Sequence, residues 1–240
     1  MQAAGVQPEM LSVDLEPPRD LSLELQSLLQ KFKIKDALRF LRSKQKDCPW
    51  DERRELLRTW VHSLQERGIK MHAVIQSFIL DDVVVAHQQL QRSTGVIFEG
   101  VKWDTVSVMV YRPEVINMAG NISADVVYSY AATLRRFFGR DSAVDVGEVG
   151  DLEYPFPVKG YHSVAPLLED IHAAGLAGLT HFHIYSMEGI QSQGDLQEWV
   201  AKLNAAIPPV GSEDQGLKRW TTSLKTKWLR RLLQWLIRKI

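Results

Sequence analysis

One cysteine, Cys48, stands in 240 residues, which excludes an intrachain disulfide and a thiolate zinc site. No run approaches the roughly 20 apolar residues that span a bilayer. The opening MQAAGVQPEM has neither the basic start nor the apolar stretch of a signal peptide, so the chain reads as soluble and unexported. Net charge is missing too: 29 Lys and Arg balance 29 Asp and Glu, and the whole chain carries no bias toward nucleic acid. Internal repeats and low-complexity tracts are absent. What is present, 45% hydrophobic and 24% charged residues, is the profile of a globular protein and excludes a disordered chain or a collagen. The charge balance conceals an asymmetry. Residues 217–240 hold eight basic side chains and no acidic one, so the first 216 residues carry 21 basic against 29 acidic, a net of −8.

Five short β-type runs, 10–15, 70–77, 105–111, 143–149 and 180–186, alternate with helical patterns at 21–42, 51–67, 81–91, 123–138, 163–174 and 195–205. Asp51 is expected to cap the second helix, Gly68 to end it, and Gly175 to end a later one. Strand–helix alternation implies parallel strands with right-handed crossovers, hence an α/β fold. Residues 207–216 (IPPVGSEDQG) break the composition and read as a linker between a body, 1–206, and a basic amphipathic helix, 217–240.

Successive strand side chains point to opposite faces. Leu11, Val13 and Leu15 oppose Ser12, Asp14 and Glu16. Val106, Val108 and Val110 oppose Ser107, Met109 and Tyr111. Val144 and Val146 oppose Asp145 and Gly147, and Phe182 and Ile184 oppose His181, His183 and Tyr185. Strands covered by helices on both faces read as continuous apolar runs. One aliphatic and one polar face therefore fits a TIM-type β/α barrel with outer helices and a polar lumen, or an open sheet with one solvated face. A closed barrel needs eight strands. Five predict a partial barrel corresponding to the fourth to eighth strands, either a fragment or a form that completes itself by self-association.

Asp14 and Glu16 lie on one face of the first strand, Cα atoms about 6.6 Å apart, at its C-terminal end, where barrel enzymes keep their chemistry. Like charges this close raise the pKa of one member, as a general acid requires. A solvated strand end is the plainer reading of the same spacing. Gln76, Glu148, Tyr185 and Glu188 follow other strands and together suit sugar binding. His181 and His183 lack a third ligand, so no metal is expected, and Gly147 and Gly150 lack the strand–GxGxxG–helix context of a dinucleotide site. No cofactor is expected.

The run MLSVDLEPP resembles the fourth strand of chitinase-like barrels of glycoside hydrolase family 18, whose signature ends in D-x-E. WDTVSVMVYR is similar to the sixth strand of that family, and HFHIYSMEGI falls where the eighth would lie. The resemblance implies hydrolysis of a glycosidic bond, with Glu16 as general acid, Asp14 as its partner and Tyr111 positioning the sugar amide. Ser12 stands where the family has an acidic residue, and Arg112, a further candidate for substrate binding, replaces the acid that follows the tyrosine. Carbohydrate is the expected partner and nucleic acid is not. A non-catalytic carbohydrate-binding or scaffold protein on the same barrel is one alternative, and a peripheral membrane protein acting through its C-terminal helix is another.

On a helical wheel of 217–240, Lys227, Arg230, Arg231, Gln234 and Arg238 form a basic stripe, and Trp228, Trp235, leucines and isoleucines fill most of the remainder. Trp228, Arg231, Trp235 and Arg238 are the expected surface for an anionic membrane or a partner groove. Packing on the protein's own body is the other expectation.

Overall fold

A computed structural model describes residues 8–31, 33–47, 49–151, 157–194, 196–206 and 222–240. Cys48 and the linker at 207–216 lie outside the described residues. In chain order the elements are β1 (Met10–Leu15), α1 (Arg19–Gln30), α2 (Ile34–Asp47), α3 (Trp50–Gln65), β2 (Lys70–Gln76), α4 (Ser77–Val85), α5 (Gln89–Thr94), β3 (Thr105–Met109), α6 (Arg112–Ala119), α7 (Asp125–Phe138), β4 (Ala143–Gly147), α8 (Val164–Leu176), β5 (His181–Tyr185), α9 (Met187–Gln193), α10 (Leu196–Ala206) and α11 (Leu224–Ile237). The α/β expectation is met. Five parallel strands form one sheet in the order of the chain, β1-β2-β3-β4-β5, with surrounding helices.

The alternation of faces holds where a strand ends the sheet. Exposed Met10, Ser12 and Asp14 alternate with half-buried Leu11, Val13 and Leu15, and exposed His181, His183 and Tyr185 with half-buried Phe182 and Ile184. In the inner strands three polar members are buried as well: His72, Ser107 and Asp145 are covered.

By contacts the chain divides into two units, Met1–Ser107 with Gln234–Ile240, and Val108–Leu233. In the first, the aliphatic side of β1 meets α3 and β2 in a core of Trp50, Val61, Leu64, Ile69, Met71, Ile97 and Val101, with Leu11, Val13, Leu57 and Trp103 against it. Trp50 donates through Nε1 to the Val96 carbonyl at 3.1 Å, and the Arg54 and Arg92 guanidiniums lie 4.7 and 4.4 Å from its ring centre. Asp51 bonds both arginines, at 3.0 and 3.2 Å. It does not cap α3, because the N-cap position is Pro49 and Asp51 lies inside the first turn.

Two predicted helices are each two. Lys33 N–H reaches back to the Leu28 carbonyl at 2.9 Å and ends α1, while the Lys33 carbonyl accepts from Ala37 and opens α2. Apolar periodicity does not register such a change of axis. Within 81–91, Ala86 and Gln88 have positive φ, which a continuing helix cannot contain. The buried Asp82 carboxylate then takes the Leu90 and Gln91 N–H groups, each at 3.2 Å, and starts α5.

In the second unit β4 is buried throughout, and α7 and α8 contribute Val126, Val127, Tyr130, Ala131, Leu134, Leu167, Ile171, Ala173 and Ala174 to the core. Helix α8 runs through Gly175. The residue with positive φ after it is Gly178, where the Arg135 guanidinium occupies the space of a Cβ and donates to the Ala177 carbonyl at 3.1 Å. Short α6 and α9 escape a reading by periodicity because two turns hold too few repeats.

Residues 222–233 pack within the second unit. Ser223 N–H donates to Asp125 at 2.7 Å, and Arg230 donates to the Ser129 carbonyl (2.9 Å), Ser129 Oγ (2.9 Å) and Thr133 Oγ1 (2.8 Å) over the Tyr130 ring. In the first unit Gln234 donates to Asp81 at 2.8 Å. Arg230 is thus buried and no part of an outer basic stripe; α7 supplies the oxygens and the aromatic face that accept it. Among the described residues no helix is long and apolar enough to cross a membrane.

Candidate functional site

Each unit gathers its own predicted residues at the C-terminal ends of its strands. In the first, the β1–β2 register runs to Leu15↔Ile75, so Glu16 and Gln76 are next along adjacent strands. Parallel partners share a face, and Ser12 Oγ accordingly lies 2.9 Å from His72 Nδ1. Asp14 and Glu16 continue that face and are both exposed, with Pro17 buried behind them.

The second unit builds a more enclosed arrangement. Strand β4 ends at Gly147, and the chain turns through Glu148, whose φ of +60° is rare for a side chain with a Cβ. Backbone bonds hold this turn: Tyr161 N–H donates to the Glu148 carbonyl at 2.6 Å, Val149 N–H to the Tyr185 carbonyl at 3.0 Å, and Gly150 N–H to the Tyr161 carbonyl at 2.8 Å. Glycines make the approach possible. A Cβ on Gly147 would fall on the Tyr185 carbonyl, one on Gly160 on the Glu148 and Gly150 carbonyls, and one on Gly189 on the Val149 carbonyl. Of the two glycines of VGEVGD, Gly147 serves this packing, while Gly150 takes a φ of +79°.

Glu148 is 1% exposed, and its carboxyl shares a hydrogen bond with the Glu114 side chain and accepts from the Glu114 backbone N–H. Glu114 sits in the first turn of α6, opened by Pro113 directly after β3. Burial, then the charge of Glu114, pushes Glu148 up to about 9; burial also raises Glu114. Glu148 therefore keeps its proton at neutral pH. Its Oε2 is buried and has no hydrogen-bond partner among the described residues, an arrangement that ordinarily costs stability.

Tyr111, at the N-cap position of α6, is half-buried with its ring centre 5.6 Å from that of Tyr185. Burial raises its phenol pKa, assisted by Asp145, Glu114 and Glu148, so the hydroxyl stays protonated. On the shared face of β4 and β5, where Asp145 pairs with His183 and Gly147 with Tyr185, His183 Nδ1 lies 2.7 Å from Asp145 Oδ1. That bond raises the imidazole pKa. The cluster thus brings together a protonated carboxyl, two phenols and an imidazole–carboxylate pair, all able to hold or pass protons.

Arg112 is buried and directed inward: it donates to Tyr161 Oη (2.8 Å), the Pro166 carbonyl (2.9 Å) and Glu169 (3.1 Å), and pairs with Asp170 at 2.8 Å. Its partners make it a tie between α6 and α8. Glu188 is exposed in the first turn of α9, where Ser186 Oγ accepts the Gly189 N–H at 3.1 Å. Sequence reasoning missed Glu114; the available signal was Pro-Glu immediately after a strand, the pattern of a helix start. Among the described residues no group of three or more His, Cys, Asp or Glu could hold a metal ion.

No protein-family model, no curated protein and no solved structure matches the chain.

Proposed function

We propose that the chain is a wedge of a chitinase-like β/α barrel and hydrolyses a glycosidic bond with Glu148 as general acid. The observation that carries this reading is the buried Glu114–Glu148 pair, protonated and with one oxygen unpartnered, beside Tyr111 and Tyr185 at strand ends. Sequential order in a parallel sheet supports the barrel, since barrel strands follow one another around the sheet. Glu148 gives its proton to the leaving oxygen. Tyr111 and Tyr185 are the platform for a sugar ring. The His183 imidazole, held by Asp145, takes the proton of the attacking water. Glu114 is a positioning residue: carboxyls that share a hydrogen bond are closer than the about 5 Å of paired glycosidase carboxyls, and its part is to keep the proton on Glu148.

A second reading, a carbohydrate-binding protein without catalysis, is favoured by the Ser12–His72 bond at the place where the resembling family has an acid. The test is a reducing-sugar assay of the 240-residue chain on a panel of N-acetylated and plain glycans. Glu148→Gln lowers the rate about 10²- to 10⁴-fold while glycan binding persists. An unchanged rate removes Glu148 as the acid; loss with Glu16→Gln alone moves the acid to β1. Binding without hydrolysis, weakened by Tyr185→Ala, selects the second reading.

A further inference from the structure

The outer face of α11 has no part in the glycosidase reading, and its composition is unusual for a water-facing surface. The buried side of the helix is Thr226, Arg230 and Ile237. Opposite it, Leu224, Trp228 and Trp235 are 86%, 63% and 50% exposed. At 100° per residue Leu224, Trp228, Arg231, Trp235 and Arg238 fall in one stripe, and the tryptophans are two turns, about 10.5 Å, apart. Lys225, Lys227 and Lys239 flank the stripe and are exposed. Lys225 donates to the Asn121 carbonyl at 2.6 Å, and Lys239 Nζ lies 5.9 Å from the Trp235 ring centre. No acidic residue occurs anywhere in 217–240.

We infer that this face is a docking surface for an anionic lipid bilayer. Large apolar side chains alternating with cations along one line match the headgroup boundary, where indole rings insert and cations meet lipid phosphates and carboxylates. Charge complementarity selects this occupant. The rest of the chain, net −8 over residues 1–216, is repelled by the same surface, so the protein's charge asymmetry turns the α11 stripe toward the membrane. Being buried on its other side, the helix lies in the interface plane and does not span.

The experiment is co-flotation of the full chain with vesicles of phosphatidylcholine alone or with phosphatidylserine. Removal of α11 would strip packing from Thr226, Arg230 and Ile237, so substitutions confined to the outer face are used: Trp228→Ala with Trp235→Ala, and Arg231→Glu with Arg238→Glu. The native chain floats with the anionic vesicles and not with phosphatidylcholine, each double variant partitions about tenfold less or weaker, and added salt weakens the native binding without abolishing it. Circular dichroism melting of both variants keeps the native transition. The inference is overturned if the native chain fails to float with anionic vesicles, or if the double variants float undiminished. It is overturned equally if the tryptophan variant instead converts an oligomer to a monomer in sedimentation, which would make the face a contact between copies. Glycan hydrolysis is independent of these readouts.

Discussion

Asp14–Glu16 and Glu114–Glu148 are both carboxyl pairs at the ends of strands, and they differ in almost everything that decides reactivity. The first pair lies on one exposed face at the end of β1. The second joins a helix start to the turn after β4 and is withdrawn from water, and its Glu148 is pushed up to about 9. Adjacency along the chain makes a pair visible, but burial makes it chemical. A strand that ends the sheet cannot supply that burial for its outer neighbours, while a backbone turn enclosed by β5 and α9 can.

The comparison breaks most sharply at Glu148. Replacing it by Gln preserves shape and removes the proton, and the expected loss of hydrolysis, about 10²- to 10⁴-fold, far exceeds any effect at β1. The same variant has an opposite signature in stability. Between the ordinary 4.5 and about 9 the folded chain retains a proton that the unfolded chain releases, so native stability falls as pH rises through that window. Thermal melts across it should show Glu148→Gln holding its Tm where the native protein declines, by a few °C or about that order. A parallel decline in both proteins would place the pH dependence elsewhere.

Next in size is Gly147→Ala. With φ at +126° and a Cβ directed onto the Tyr185 carbonyl, it should cost about 2–4 kcal/mol in urea unfolding. Glu114→Gln should act more gently, removing the charge that helps keep Glu148 protonated. The alkaline limb of the pH–rate profile then moves to lower pH, because the acid form of Glu148 is lost earlier. A limb that stays in place would show that burial alone holds the proton. Smallest on this profile is the first pair: Asp14→Asn and Glu16→Gln, both distant in the chain from the Glu114–Glu148 contact, should leave the alkaline limb where it was.

Much of the fold was legible because strands are short, β-branched and separated by helices of distinct period. Met10–Leu15 is found where expected, and the other four strands differ from their predicted bounds by a residue or two at their ends. Ser107 and Asp145 were legible as polar but not as buried, since alternation names two faces without saying what covers them. Glu148 was visible as a loop carboxyl; its role depends on Glu114, which belongs to a helix of eight residues that periodicity passes over. In the basic segment, a helical wheel ranks side chains by polarity, whereas α7 selected Arg230 for its oxygens and left two tryptophans outside. Partner chemistry, absent from a wheel, decided which face turned inward.

Gly147, Gly160 and Gly189 press three stretches of backbone together around Glu148. A floor made of main chain offers no side chains to exchange, so its shape cannot be tuned in small steps. Diversification of this site for a new substrate must therefore come from the rim. A library randomised at Tyr185 and Glu188 should yield many folded members, while one randomised at the three glycines should yield almost none. The geometry of the acid and the choice of what it acts on are thereby assigned to separate parts of the chain, one frozen and the other open to drift.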